Sequence, residues 1–122
     1  MPGESYLEVI NALRDSKIDT VVARHEGGAA MMAEADAKLT GRAGVCLVTR
    51  GPGATNASAG VHVAQQDSTP LILFVGQVAS TMLGRDAFQE VDFDAFFGGM
   101  AKAVLHLTAE ANPAKNASKS TS

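Results

Sequence analysis

Three short apolar runs without polar alternation, "DTVVAR" (19–24), "GVCLVT" (44–49) and "PLILFVG" (70–76), constrain this chain more than any other feature. A half-solvated strand alternates apolar and polar side chains, whereas an unbroken apolar run suits a strand covered on both faces. Between the runs lie "GGAAMMAEADAKLTG" and "GATNASAGVHVAQQDS", alanine-rich and each long enough for a helix, with Gly or Ser and Asp at their ends. The order β, α, β, α, β predicts an α/β fold with an open, mainly parallel sheet, right-handed crossovers and helices on its flanks. Ligands of such sheets gather at the carboxyl ends of the strands. Three loops, "RHEGG", "RGPGATN" and "GQVAS", follow the three runs there.

The two ends of the chain depart from this pattern. "PGESYLEVINALRDS" predicts a helix opened by proline and acidic residues, yet no strand precedes it, so the usual first strand is expected to be lacking. The run "MAKAVLHL" (100–107) is a further strand candidate with an ambiguous period. Beyond Leu107 no large apolar residue occurs, which predicts a domain over 1–108 and a disordered tail over 109–122.

Composition excludes several function classes. A net charge of −3 with scattered Lys and Arg offers no footprint for nucleic acid. No apolar run approaches the roughly 18 residues of a membrane span. The single cysteine, Cys46, cannot form an internal disulfide, and no signal-peptide pattern opens the chain, so a reducing, cytoplasmic setting is expected. Within "GVCLVTR" that thiol reads as core packing.

The motifs need weighing one at a time. "RGPGATNAS" resembles a phosphate-cradling loop, but it has no lysine for a Walker motif and Asn56 stands where a dinucleotide fingerprint needs a third glycine. It reads equally as a strand-to-helix turn, with Gly51, Pro52, Gly53 and Asn56 forming a rigid polar surface. Glu26 sits where a strand hands over to a helix. It either complements the helix dipole or is a sheltered carboxyl whose pKa desolvation raises, so that it shares a proton with a ligand nitrogen. Small residues from Gly27 to Ala30 would let a planar ring approach. His25, His62 and His106 lie in separate elements without metal-ligand spacing, so no metal site is expected. Ser58 in "NASAG" is a poor match to a nucleophile elbow. The acidic stretch "RDAFQEVDFD" reads as a solvated loop.

Taken in order, "PGESYL", "RHEGGAAMMAEA", "AKLTGR", "VTRGPGATNASAGVHVA", "QDSTPLILFVGQV", "GRDAFQEVDF" and "FGGMAKAV" resemble the amino-terminal, pyrimidine-binding domain of thiamine diphosphate enzymes. The resemblance is to the acetolactate synthase, pyruvate oxidase and benzoylformate decarboxylase group and runs over about residues 2 to 104. It implies that Glu26 hydrogen-bonds a ring nitrogen of the aminopyrimidine of thiamine diphosphate, favouring the imino tautomer that takes up the thiazolium proton. It also implies that Pro2 and Gly3 close over the pyrimidine, that Pro52 and Asn56 line its pocket, and that Gln66 and Gln77 face the substrate side.

There are departures from the family pattern. Relatives commonly carry Tyr-Gly where this chain has Asp36 and Ala37, and an aromatic residue at the position of Gln65. Family members also have a strand and helix before "PGESYL", and a later domain whose Gly-Asp-Gly and Asn hold magnesium and diphosphate. No Gly-Asp-Gly occurs in these 122 residues. The resemblance therefore implies half a site, from a 2-keto acid decarboxylase or carboligase, with magnesium bound by a domain not present here. It implies a homo-oligomer, or a separate chain bearing the diphosphate domain. The alternative is a non-catalytic, truncated remnant that folds and self-associates.

Overall fold

The computed structural model describes residues 3–108. Pro2 and the expected tail over 109–122 lie outside the described residues. The elements run α1 (Leu7–Arg14), α2 (Glu26–Thr40), β1 (Gly44–Val48), α3 (Pro52–Gln66), β2 (Leu71–Val75) and α4 (Phe93–Phe97), with 3-10 turns at Glu4–Tyr6 and Ser80–Met82. They divide between two compact units, residues 1–91 and 92–122.

In the first unit β1 and β2 are parallel neighbours, in register from Gly44 opposite Leu71 to Val48 opposite Val75. Helix α3 is the crossover between them, so the α/β class, the parallel pairing and the flanking helices are all as the run pattern predicts. Two expectations about the strands are corrected. Residues 19–23 form no strand, and Val21 and Val22 are 78% and 65% exposed. Strand propensity there goes unused because, among the described residues, no neighbouring strand takes up its backbone N–H and C=O groups. Nor are both sheet faces covered. Cys46 and Val48 are buried, whereas Val45, Ile72 and Phe74, which alternate with the covered positions, stand about half exposed.

The covered face meets a layer of small residues. Helix α2 begins after His25, an extended residue whose Nδ1 accepts from the Gly27 N–H at 3.0 Å, and it ends at the left-handed Gly41. Its buried alanines, Ala30, Ala33 and Ala37, recur at helical spacing and form one stripe. Helix α3 starts from Gly51, whose φ of 53° only glycine adopts readily, with Pro52 in its first turn. It buries Gly53, Ala54, Ala57, Gly60 and Ala64.

The two stripes meet closely. A Cβ placed on Gly60 would lie 2.4 Å from the Ala30 Cβ, so the absence of a side chain at Gly60 sets the distance between the helices. Among the described residues Val48 is the largest side chain that is fully buried. At the far end of the pair the buried Glu34 accepts from Thr69 Oγ1 at 3.0 Å and pairs with Lys38 at 2.9 Å, while Lys38 also reaches Asp67.

The second unit is small. Asp92 caps α4 by accepting from the Ala95 N–H at 3.1 Å, and Phe93 and Phe97 are buried with their ring centroids 6.1 Å apart. The candidate strand at 100–107 is also corrected. It forms none, and Leu105 and Leu107 are half or more exposed. Among the described residues no helix is long and apolar enough to cross a membrane.

Candidate functional site

Glu26 is the first residue of α2 and is only 8% exposed. A carboxylate at a helix amino end is favoured by the dipole and by unpaired N–H groups, but burying it demands further donors. One comes from the neighbouring helix: Asn56 Nδ2, on the second turn of α3, donates to Glu26 Oε2 at 3.2 Å. The close seam between α2 and α3 makes this bond possible across 30 residues of sequence.

The charge state departs from the expectation. Burial pushes the Glu26 pKa up, but hydrogen bonds from its own backbone N–H and from Asn56 outweigh burial and hold it below the ordinary carboxylate range. At neutral pH the group is ionised, accepting hydrogen bonds and donating none. Four lone-pair sites on a carboxylate leave capacity for a further donor.

A pH dependence follows from this. The folded carboxyl titrates below its unfolded value, so ionised Glu26 favours the folded state at neutral pH. That contribution fades as pH falls from about 4.5 through the lower folded pKa. Urea midpoints measured from pH 6 down to pH 3 should drop less steeply for Glu26→Gln than for the parent chain. Equal slopes would contradict the assignment.

The other expected residues are placed unevenly. Gly3 lies against Thr49 at the carboxyl end of β1, where a Cβ would come within 2.5 Å of the Thr49 Cβ. Pro52 opens α3, one turn before Asn56, and is exposed. Gln77 follows β2 and is anchored by its own backbone surroundings, Oε1 accepting from the Val78 N–H at 2.9 Å and Nε2 donating to the Val91 carbonyl at 3.4 Å.

Gln66 is not brought to Glu26. It ends α3, ten residues beyond Asn56, which is about 15 Å along a helix axis, and it is exposed. Cys46 is buried on β1, and burial pushes its thiol pKa up, as suits core packing. Among the described residues no three His, Cys, Asp or Glu side chains gather as a metal site.

Sequence reasoning missed a second set of contacts near the same strand ends. Arg50, just after β1, donates from Nη2 to Glu4 Oε1 at 2.6 Å and from Nε to the Phe88 carbonyl at 3.3 Å. Ser5 and Thr49 hydroxyls lie 2.8 Å apart beside it. The signal available was an arginine just past the carboxyl end of an apolar run, where ligands of such sheets gather.

Comparison with known proteins shows the family. The sequence profile described as "Thiamine pyrophosphate enzyme, N-terminal TPP binding domain" matches residues 1–96. The acetolactate synthase isozyme 2 large subunit of Escherichia coli (strain K12) is 47% identical over 91 residues, covering 75% of this chain and 17% of that protein. The isozyme 3 large subunit of the same organism is 50% identical over 92 residues, 75% of this chain and 16% of its own. An acetolactate synthase of Mycobacterium avium is 42% identical over 115 residues, 93% of this chain and 18% of its own. The chain thus spans about a sixth of the length of the curated relatives it matches. It belongs to the thiamine pyrophosphate enzymes, as an acetolactate synthase-like N-terminal TPP-binding domain.

Proposed function

We propose that this domain holds the aminopyrimidine end of thiamine diphosphate for an enzyme that decarboxylates or joins 2-keto acids, and that another domain or chain supplies the ligands for diphosphate and magnesium. One observation carries the reading: the buried, ionised Glu26, tied to Asn56, has spare acceptor capacity. When bound, the cofactor supplies carbanion chemistry at its thiazolium carbon.

The chain's own part is positional. Glu26 accepts a hydrogen bond from a ring N–H and so biases the tautomer of the amino group. Asn56 holds the carboxylate in place, and Gly3 and Pro52 shape the pocket edge. Gln77 stands toward the substrate side. Gln66 lies at the far end of α3 from Asn56.

The expected partners follow from the surface. The half-exposed Val45, Ile72 and Phe74, with Val21 and Val22, form apolar area that a second copy or a diphosphate-binding chain would cover. A purified remnant without function would share this surface, so binding must decide.

Calorimetric titration with thiamine diphosphate and magnesium, alongside a solution mass measurement, tests the proposal. Saturable binding that weakens by about tenfold or more in Glu26→Gln supports it, since a hydrogen bond to a charged group is worth that much. No heat at millimolar cofactor would favour the non-catalytic remnant.

A further inference from the structure

At the start of α2 the backbone N–H groups of Glu26 and Gly27 lie beside two acceptors, the Glu26 carboxylate and the His25 imidazole. A helix leaves its first N–H groups without intrahelical partners, so nearby acceptors compete for them. Here they are shared out. The Glu26 N–H goes to the Glu26 carboxylate, and the Gly27 N–H goes to His25 Nδ1 at 3.0 Å. Asn, Asp, Ser or Thr usually fills this cap position, with an oxygen in the place of the imidazole nitrogen.

The imidazole is packed into that role. A Cβ on Gly27 would stand 3.0 Å from His25 Nδ1, 3.1 Å from its Cε1 and 3.1 Å from the Asn56 carbonyl oxygen. The ring and α3 therefore crowd the same bare spot, and a side chain there would push the ring off its N–H or α2 away from α3. A nitrogen that accepts carries no proton, which puts the ring proton on Nε2. Asn56 meets this turn twice, with its carbonyl near Gly27 and its amide on Glu26 Oε2 at 3.2 Å.

We infer that His25 is a positioning residue for Glu26: by taking the Gly27 N–H, the imidazole keeps that donor away from the carboxylate, which stays turned to Asn56 with a lone pair open to a ligand N–H. The ligand's identity rests on the pyrimidine reading of Glu26, whereas the division of donors does not. Without the imidazole, the Gly27 N–H faces a buried carboxylate one residue away, and a charge-assisted bond between them is favoured. Glu26 then caps its own helix and is less available to a ring N–H.

The test compares His25→Ala with His25→Asn in the full chain. Both lack the imidazole and its charge, and only asparagine offers the cap an acceptor. His25 is exposed, so both variants should fold. Carboxyl carbon NMR follows the Glu26 titration without cofactor. Tyr6 and Cys46, which also sense the Glu26 charge, have pKa values raised chiefly by burial and stay neutral across the acid range.

Glu26 should titrate at lower pH in His25→Ala than in His25→Asn, because the freed N–H stabilises the carboxylate. A cap that only steadies the helix would leave the two titrations equal or reverse their order. Calorimetry with thiamine diphosphate and magnesium should show affinity falling about threefold or more in His25→Ala and staying within about twofold of the parent in His25→Asn. Equal or reversed titrations, or equal affinity of the two variants when the parent binds, would overturn the inference. Titrations in the expected order with no binding by any of the three chains would count against the pyrimidine reading and uphold the role of His25.

Discussion

Gly60→Val is expected to cost about 3 kcal/mol or more of folding free energy and to leave the first unit largely unfolded in mild urea. Even a bare Cβ at this position would stand 2.4 Å from the Ala30 Cβ and 2.9 Å from the Ala30 carbonyl carbon, well inside van der Waals contact. A branched side chain adds two methyl groups in a place where neither helix can yield without leaving β1. The loss is large against a core whose biggest fully buried side chain is a valine.

Gly28 is the matched control. It lies in the facing helix, α2, with nothing within 4 Å of its would-be Cβ, so Gly28→Ala should stabilise by about 0.4 to 1 kcal/mol. A reciprocal pair, Ala30→Gly with Gly60→Ala, should recover only part of what Gly60→Ala loses, because the Ala30 carbonyl carbon would still lie 2.9 Å from the new Cβ. Urea denaturation followed by circular dichroism reads all of these. Equal effects at Gly28 and Gly60 would show that helix propensity, and not the seam, decides.

The second large effect concerns chemistry. When residues 1–96 replace the matching segment of the Escherichia coli isozyme 2 large subunit, Glu26→Gln should lower turnover by about a hundredfold to ten-thousandfold, the usual contribution of a positioned proton exchanger. Glutamine keeps the shape and one acceptor oxygen but carries no charge. Cofactor affinity should therefore fall far less than turnover. A variant that loses both in equal measure would indicate that Glu26 only shapes the pocket. Unchanged turnover would remove it from the mechanism. Asn56→Ala should show a milder version of the same split, because it withdraws the donor holding Glu26 Oε2.

Much of this architecture is legible in the residue order, for physical reasons that also mark where legibility stops. Helices α2 and α3 could be read from alanine-rich stretches with clear end signals, and β1 and β2 from apolar runs bounded by glycine and proline. The run at 19–24 has the same composition as those strands but forms none, because pairing is a property of two segments and composition describes only one.

The site divides in the same way. Glu26, Asn56 and Gly3 were visible through likeness to a family, and the structure puts the first two in contact. The direction of the Glu26 pKa was not visible, since burial alone predicts a rise and the donors that reverse it come from backbone geometry and from a residue 30 positions away. Arg50 and Glu4 are 46 positions apart, in a turn and a loop without periodicity, so no local pattern could have joined them.

The bare side of the sheet has a thermodynamic consequence. Whatever comes to sit on Val45, Ile72 and Phe74 binds the folded chain and not the unfolded one, so the melting temperature becomes a function of how much of that companion is present. Dilution then acts like a denaturant. Were that face covered in this way, the lifetime of the chain in a cell would track the supply of whatever shields it.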